Sequence, residues 1–297
     1  MKLADVKLTF DCNNRCLFCV QGDKRHECAA KSAESVRAML EDAYYSGARD
    51  AVFTGGEPTL YPELLAVVSH AKKTGYRRIQ IQTNGRMLCY ESFCTRLIKA
   101  GARHFSVSLH GASPKVHDSL TRVPGSFSQT TRGIRLLKKL GASVGTNTVI
   151  VQTNVRALPS IAGLLVRLGV DRMQFAFPHI LGGAAKNKAE VVPPIILAAR
   201  NAMKGLERGI KAGTTVSVEA IPACLLPGFE KYMVEKRLGE TIVFDSGFTL
   251  PRASYNRICE GKALGPRCRA CRYFSTCEGP WKEYPELFGW DEFVPVE

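Results

Sequence analysis

No stretch of this chain is apolar for long enough to cross a bilayer, and residues 1–10 lack the apolar core and small-residue cleavage site of a secretion signal. Acidic residues are in deficit, 27 against 41 Lys and Arg, which leaves a net charge of +14. That excess invites phosphate binding. Long basic blocks are lacking, however: Lys72-Lys73, Arg77-Arg78, Lys138-Lys139, Lys186 and Lys188 lie scattered, with no RRM, KH or helix-turn-helix signature. These read as solvated helix faces and loops, with RNA kept as a minority option. Cysteine is not scarce. Eleven cysteines, an odd number, in a chain without an export signal argue against a disulfide framework and for metal binding. A reducing compartment, the cytoplasm, is the expected setting.

With 297 residues, 45% of them apolar, the chain can bury a large core. Periodic apolar segments end at Gly47, Gly75, Gly101, Gly141, Gly169 and, less cleanly, Gly213. Glycine is favoured just past a helix C-terminus, where the chain turns left-handed. Each glycine precedes a β-rich run: Asp50 to Thr54, Arg78 to Thr83, His104 to Leu109, Ser143 to Val151, Arg172 to Phe177 and Thr215 to Ala220. With Val6 to Phe10 in front, the pattern predicts an α/β fold with a parallel sheet and helices outside it, open or closed into a barrel. Ligands gather at the carboxyl ends of such strands.

The sharpest motif follows the first strand. Cys12, Cys16 and Cys19 stand as C-x3-C-x2-C, with the bulky Phe18 before the last. Three thiolates on one loop can hold three irons of a [4Fe–4S] cube and leave the fourth open for chemistry. A zinc knuckle or free reduced thiols are the plainer alternatives. After the second strand comes Thr54-Gly55-Gly56-Glu57-Pro58, where glycines let backbone approach a ligand and a carboxylate follows. Alone this turn is a weak signal.

Taken in order, the two motifs resemble those of the radical S-adenosylmethionine (radical SAM) superfamily. The resemblance implies a partial (β/α)6 TIM-like barrel, a cluster held by Cys12, Cys16 and Cys19, and SAM bound at the open iron. It also implies that Gly55, Gly56 and Glu57 meet the SAM amino group and that Ser108 lies near its ribose. By topology Asn147 reaches SAM, and the backbone around Gln174, Phe175 and Ala176 meets adenine. His110 reads either as a substrate-facing acid/base or as a loop histidine satisfied by backbone. His117-Asp118 and Pro124 to Phe127 resemble the connection before the fourth helix, or serve as simple loop and cap chemistry.

A second cysteine group, Cys259, Cys268, Cys271 and Cys277, could bind zinc or all four corners of a second cube. Its C-x2-C-x5-C part resembles the SPASM or twitch extensions of the same superfamily, which hold auxiliary iron–sulfur clusters. The full SPASM pattern is longer, so one auxiliary [4Fe–4S] cluster of twitch type is expected, in a small domain at 221–297 behind a core barrel at 1–220. All four irons would then have protein ligands, which suits electron transfer or structure; were Cys224 to replace one of the four, an iron could open to substrate. Cys28, Cys89 and Cys94 have no metal spacing. The aromatics Trp281, Tyr284, Phe288, Trp290 and Phe293 are expected to pack across the barrel, and Ile180 to Pro194 to form a long loop at its active end.

The implied function is reductive cleavage of SAM, with ferredoxin or flavodoxin as reductant, and hydrogen abstraction from a peptide, a protein or a small molecule. The first strand begins almost at Met1, which disfavours leader-binding peptide maturases, and no cobalamin-binding domain is recognisable. A non-enzymatic iron–sulfur or zinc protein that binds RNA or a protein partner is the alternative; Gly55-Gly56-Glu57 speaks against it.

Overall fold

The structure, a computed structural model, describes residues 2–25, 27–237 and 239–297. Seven strands form where β-rich runs follow a glycine or open the chain. They are β1 (Lys2–Thr9), β2 (Ala48–Gly55), β3 (Arg78–Thr83), β4 (His104–Ser108), β5 (Ser143–Val149), β6 (Arg172–Ala176) and β7 (Thr215–Glu219). All six predicted glycines adopt positive φ, between 70° and 130°. Each strand pairs in parallel with the next. Two further strands extend the sheet. Thr241–Phe244 (β8) runs parallel along the free edge of β1, and Thr249–Leu250 (β9) turns back antiparallel to it. The order is β7-β6-β5-β4-β3-β2-β1-β8-β9, so the sheet is curved but not closed. The expected boundary at 220/221 falls just beyond β7, yet the chain past it returns to the sheet through β8.

Period-two alternation fixes which side of the sheet is which. Ala4, Val6 and Leu8 of β1 are fully buried against the outer helices, each Val or Leu contributing roughly 2 kcal/mol through burial. Asp5 and Lys7, between them, face inward. The same alternation turns Gln82, Ser108, Asn147 and Glu219 inward from β3, β4, β5 and β7. A core-packed outer face and a polar inner face leave room for a ligand inside the curve. No helix of the described residues is long and apolar enough to cross a membrane.

Candidate active site

The thiols of Cys12, Cys16 and Cys19 line a cavity of about 400 Å3 at the carboxyl ends of the strands. Backbone hydrogen bonds from two segments hold their loop. Arg15 and Leu17 donate to Thr121 and Leu120 at 2.8 and 3.2 Å, and Gly183 donates to the Cys19 carbonyl at 2.9 Å. The stretch predicted as a long loop at Ile180 to Pro194 contains two short turns of helix, Gly183–Lys186 and Lys188–Val191. Its Asn187 side chain bonds the Leu17 carbonyl at 3.1 Å, so this segment clamps the cysteine loop.

Gly55 and Gly56 dock the second loop against the first. Gly56 N–H donates to Thr9 and Glu57 N–H to Asp11, both at 2.7 Å. A Cβ on Gly56 would overlap the carbonyl oxygens of Phe10 and Asp11, and one on Gly55 the carbonyl of Thr9. Both glycines line the cavity. Glu57, expected at the SAM amino group, does not line the cavity. Its carboxylate is fully buried and accepts from Thr59 N–H at 3.0 Å, the Thr59 and Thr83 hydroxyls at 2.5 and 2.6 Å, and Asn84 N–H at 2.7 Å. Three of these bonds fall on Oε1 and one on Oε2, so the acid braces the loop after β3.

Asn84 carries that order onward. Its amide donates to Asn13 Oδ1 at 2.6 Å and lies 3.8 Å from Cys12 Sγ. Arg86 reaches the Asn13 carbonyl and bonds Gln129 at 2.6 Å. Sequence reasoning gave Arg86 no role, because a lone arginine after a strand carries no pattern.

Ser108 and Asn147 both face the cavity, and Asn147 Oδ1 is buried there without a hydrogen-bond partner. His110 also lines it. Its Nδ1 accepts the Val149 N–H at 3.2 Å, which leaves the proton on Nε2, and its ring meets Phe18 edge-on at 4.8 Å. Burial, with the nearby His117, lowers its pKa to about 3, so His110 stays neutral at physiological pH. His117 Nδ1 accepts the His110 N–H at 3.1 Å, and Asp118 caps the helix that starts at Ser126 through Gly125 and Phe127 N–H groups. These are the loop and cap roles.

The three thiols fit a cluster. Burial, then the charges of Cys19 and Cys12, push the Cys16 thiol well above its ordinary range, and burial, then the Glu57 charge, raises the Cys12 thiol. Thiolates so placed need a compensating cation. Among the described residues, no three His, Cys, Asp or Glu side chains gather tightly around one point for a single metal ion.

The C-terminal cysteines divide differently from their spacing. Cys268, Cys271 and Cys277 surround a small apolar cavity whose fourth thiol is Cys224, delivered by the turn at Ala223–Leu225 just after β7. Burial, then the charges of Cys277, Cys271 and Cys268, push Cys224 up to about 12. Backbone N–H groups of Gly279 and Val296 donate to Cys277 and Cys271 Sγ, both at 3.4 Å. Cys259 is not brought to this group; it is exposed on the π-helical turn Arg257–Gly261. Cys94 is fully buried and bonds the Leu88 carbonyl at 3.1 Å.

The family model described as the Radical SAM superfamily matches residues 6–156. The chain is 27% identical over 192 residues to an AdoMet-dependent heme synthase of Oleidesulfovibrio alaskensis, a match covering 64% of this chain and 49% of that protein. It is 27% identical over 210 residues to a PqqA peptide cyclase of Rhodopseudomonas palustris, covering 67% and 55%. The chain thus spans about half the length of these curated relatives. The crystal structure of Streptococcus suis SuiB bound to precursor peptide SuiA superposes with a TM-score of 0.72 at 17% identity, over 94% of this chain and 71% of that one. That likeness is one of fold.

Proposed function

The chain belongs to the radical SAM superfamily, and from that premise we propose that it cleaves SAM reductively to abstract hydrogen from a peptide or protein substrate. The family's cofactors are a [4Fe–4S] cluster and SAM. The observation that carries the reading is the single cavity that gathers Cys12, Cys16, Cys19, Gly55, Gly56, Ser108 and Asn147. When bound, the cluster would supply an electron and SAM the bond that it cleaves. The chain's own residues do the rest. Cys12, Cys16 and Cys19 would hold the cluster; Gly55 and Gly56 would offer close backbone for the SAM amino group; Asn147 Oδ1 offers an unpaired acceptor, and Ser108 would lie near the ribose. Phe18 and His110 pack together and keep water from the thiols.

Cys224, Cys268, Cys271 and Cys277 hold an auxiliary [4Fe–4S] cluster in this reading. Exchanging Cys259 for Cys224 keeps four thiols, so no iron opens to substrate, and the role is electron transfer or structure. A peptide or protein substrate is favoured over a small molecule because a peptide cyclase is among the relatives and a peptide-bound enzyme shares the fold. Ferredoxin or flavodoxin would supply the electron, in the cytoplasm. The test is 5′-deoxyadenosine formation by anaerobically reconstituted protein with SAM and dithionite. Product from wild type and none from Cys16→Ala supports the reading; no product from SAM-bound, fully iron-loaded protein, with added peptides or without, refutes it.

A further inference from the structure

A second cavity, of about 170 Å3, opens inside the curve of the sheet at the amino ends of the strands. Interior layers of barrels are usually filled by bulky branched side chains. Here the inward positions are Gln80, Ser106, Gly145 and Ser217, polar or small groups that leave the space open. Arg78 and Arg172, the first residues of β3 and β6, complete the wall. The Arg172 side chain runs across the inner face of β5, where a Cβ added to Gly145 would stand 3.5 Å from its Nε. Arg78 donates to Gln80 Oε1 at 2.8 Å. Among the described residues neither guanidinium has an ion pair, although Asp50 stands opposite Arg78 in the β2–β3 ladder, and the Arg172 side chain donates no hydrogen bond. Asp171, the acid whose charge reaches Arg172, gives both oxygens to Lys138 at 2.6 and 2.7 Å and one of them also to Val144 N–H. The two cations act on each other: burial, then the Arg78 charge, lowers the Arg172 pKa. Burial, then both arginine charges, lowers that of His104 beside them.

Two like charges in one cavity repel, and burying charge without a partner costs free energy. An anion between them would relieve both. A guanidinium presents its donors as a planar fork that meets the oxygens of a phosphate or carboxylate two at a time. Charge and shape choose between those ions. Two cations facing one space match a dianion, and the Ser106 hydroxyl in the same wall can meet a further oxygen of a tetrahedral ion. Size excludes a nucleotide, because sites for larger ligands run to roughly 300–1,000 Å3. We propose that Arg78 and Arg172 form a site for a small phosphate-type oxyanion at the amino end of the sheet, separate from the cavity of the cysteine loop. Gln174 divides the two cavities: it bonds Glu219 of the upper one at 2.7 Å and Ser217 of the lower one at 3.4 Å. The site goes beyond the radical reading and does not depend on it.

The test titrates inorganic phosphate into the full, cluster-loaded chain by isothermal titration calorimetry at fixed ionic strength, with sodium acetate in parallel. The proposal expects saturable binding of one phosphate per chain, weakened about tenfold or more in Arg78→Gln and in Arg172→Gln. Arg172→Lys keeps the charge and loses the fork, and should weaken binding about threefold or more. Arg135→Gln removes an exposed arginine from the helix Ser126–Lys139 and should bind as wild type. Each variant sheds or keeps a repelled charge, so cooperative urea unfolding near the wild-type midpoint is expected of all four, and phosphate should raise that midpoint in wild type but not in Arg172→Gln. Saturating SAM should leave the phosphate affinity unchanged. No saturable heat from wild type, equal weakening in Arg135→Gln, full affinity in Arg172→Lys or acetate bound more tightly than phosphate overturns the proposal. So does competition with SAM, which would put the ion in the upper cavity. The readout needs no turnover, so failure of SAM cleavage leaves it standing.

Discussion

Glu57 Oε2 accepts the backbone N–H of Asn84 at 2.7 Å, so the acid that follows the two glycines is tied to the loop after β3 and not to the cavity. Through Asn84 that bond reaches Asn13 and the neighbourhood of Cys12.

Glu57→Gln replaces one acceptor oxygen with an NH2 group that must face a donor. Charge-assisted hydrogen bonds to a buried carboxylate are worth about 1.5–3 kcal/mol, and relief of the buried charge offsets part of their loss. The variant should lose about 1–3 kcal/mol in urea unfolding and release iron from the N-terminal cluster faster than wild type. Equal stability and equal iron retention would show that the acid has no such bracing role.

Gly56→Ala places a methyl group on the carbonyls of Phe10 and Asp11. Backbone cannot move there without shifting the cysteine loop. Expected are a loss of about 3–5 kcal/mol, at the large end for single substitutions, and failure to bind SAM in equilibrium dialysis. Wild-type SAM affinity in the alanine variant would refute the close approach.

Six of the first seven strands were legible because the β-rich run stands behind a helix-ending glycine, and the cysteine loop because its spacing is compact. What escaped lies in contacts that cross the chain. The β8 run, Thr241–Phe244, is only four residues and carries no sign of which edge it will join. Cys224 is solitary in sequence; it meets Cys268, Cys271 and Cys277 because β7 ends beside them. Arg78 and Arg172 read as the openings of two strands, and their meeting shows only once the sheet curves. The sequence left His110 between acid/base and backbone-satisfied roles, and the Val149 N–H at Nδ1 supplies the backbone partner.

Asp245, at the end of β8, accepts from Lys7 and, at 2.7 Å, from Lys24. Burial alone would raise its carboxyl, but the hydrogen bonds from Lys24, Lys7 and Ser246 N–H outweigh that and hold it at about 2. A carboxyl depressed in the folded state stabilises it above the unfolded value, near 3.9, and loses that effect as pH falls towards 2. Asp245→Asn should cost about 1–2 kcal/mol at pH 7, allowing for partial screening. The gap to wild type in urea midpoint should close between pH 4 and 2. A gap that does not change with pH would mean that the ion pairs contribute nothing.

His110 and His117, held near 3 and 4 by burial, should not titrate between pH 5 and 8 in imidazole NMR spectra. A depressed histidine stabilises the folded state above the unfolded pKa, about 6.5, and that contribution fades as pH drops through the window below it. Stability should therefore fall with acid from about pH 6.5, and His110→Asn should take one proton out of the slope. An imidazolium signal from His110 at pH 6 would contradict the neutral assignment.

The two candidate fourth thiols at the C-terminal site make opposite predictions. Sequence spacing favours Cys259, whereas the fold puts Cys224 beside Cys268, Cys271 and Cys277 and leaves Cys259 exposed. A cube bound by three protein thiols keeps one iron open and is more easily lost or oxidised than one bound by four. Cys224→Ala should therefore purify with iron lowered by as much as one cluster, or with an auxiliary signal altered in electron paramagnetic resonance after reduction. Cys259→Ala should match wild type in both iron content and spectrum. Cys16→Ala, which removes a thiol at the other site, should leave the auxiliary signal in place, so the two clusters can be told apart. Zinc in place of iron at the C-terminal site would leave Cys16→Ala with no iron–sulfur signal at all. Loss of the auxiliary signal in Cys259→Ala but not in Cys224→Ala would return the ligand to the residue that spacing alone prefers.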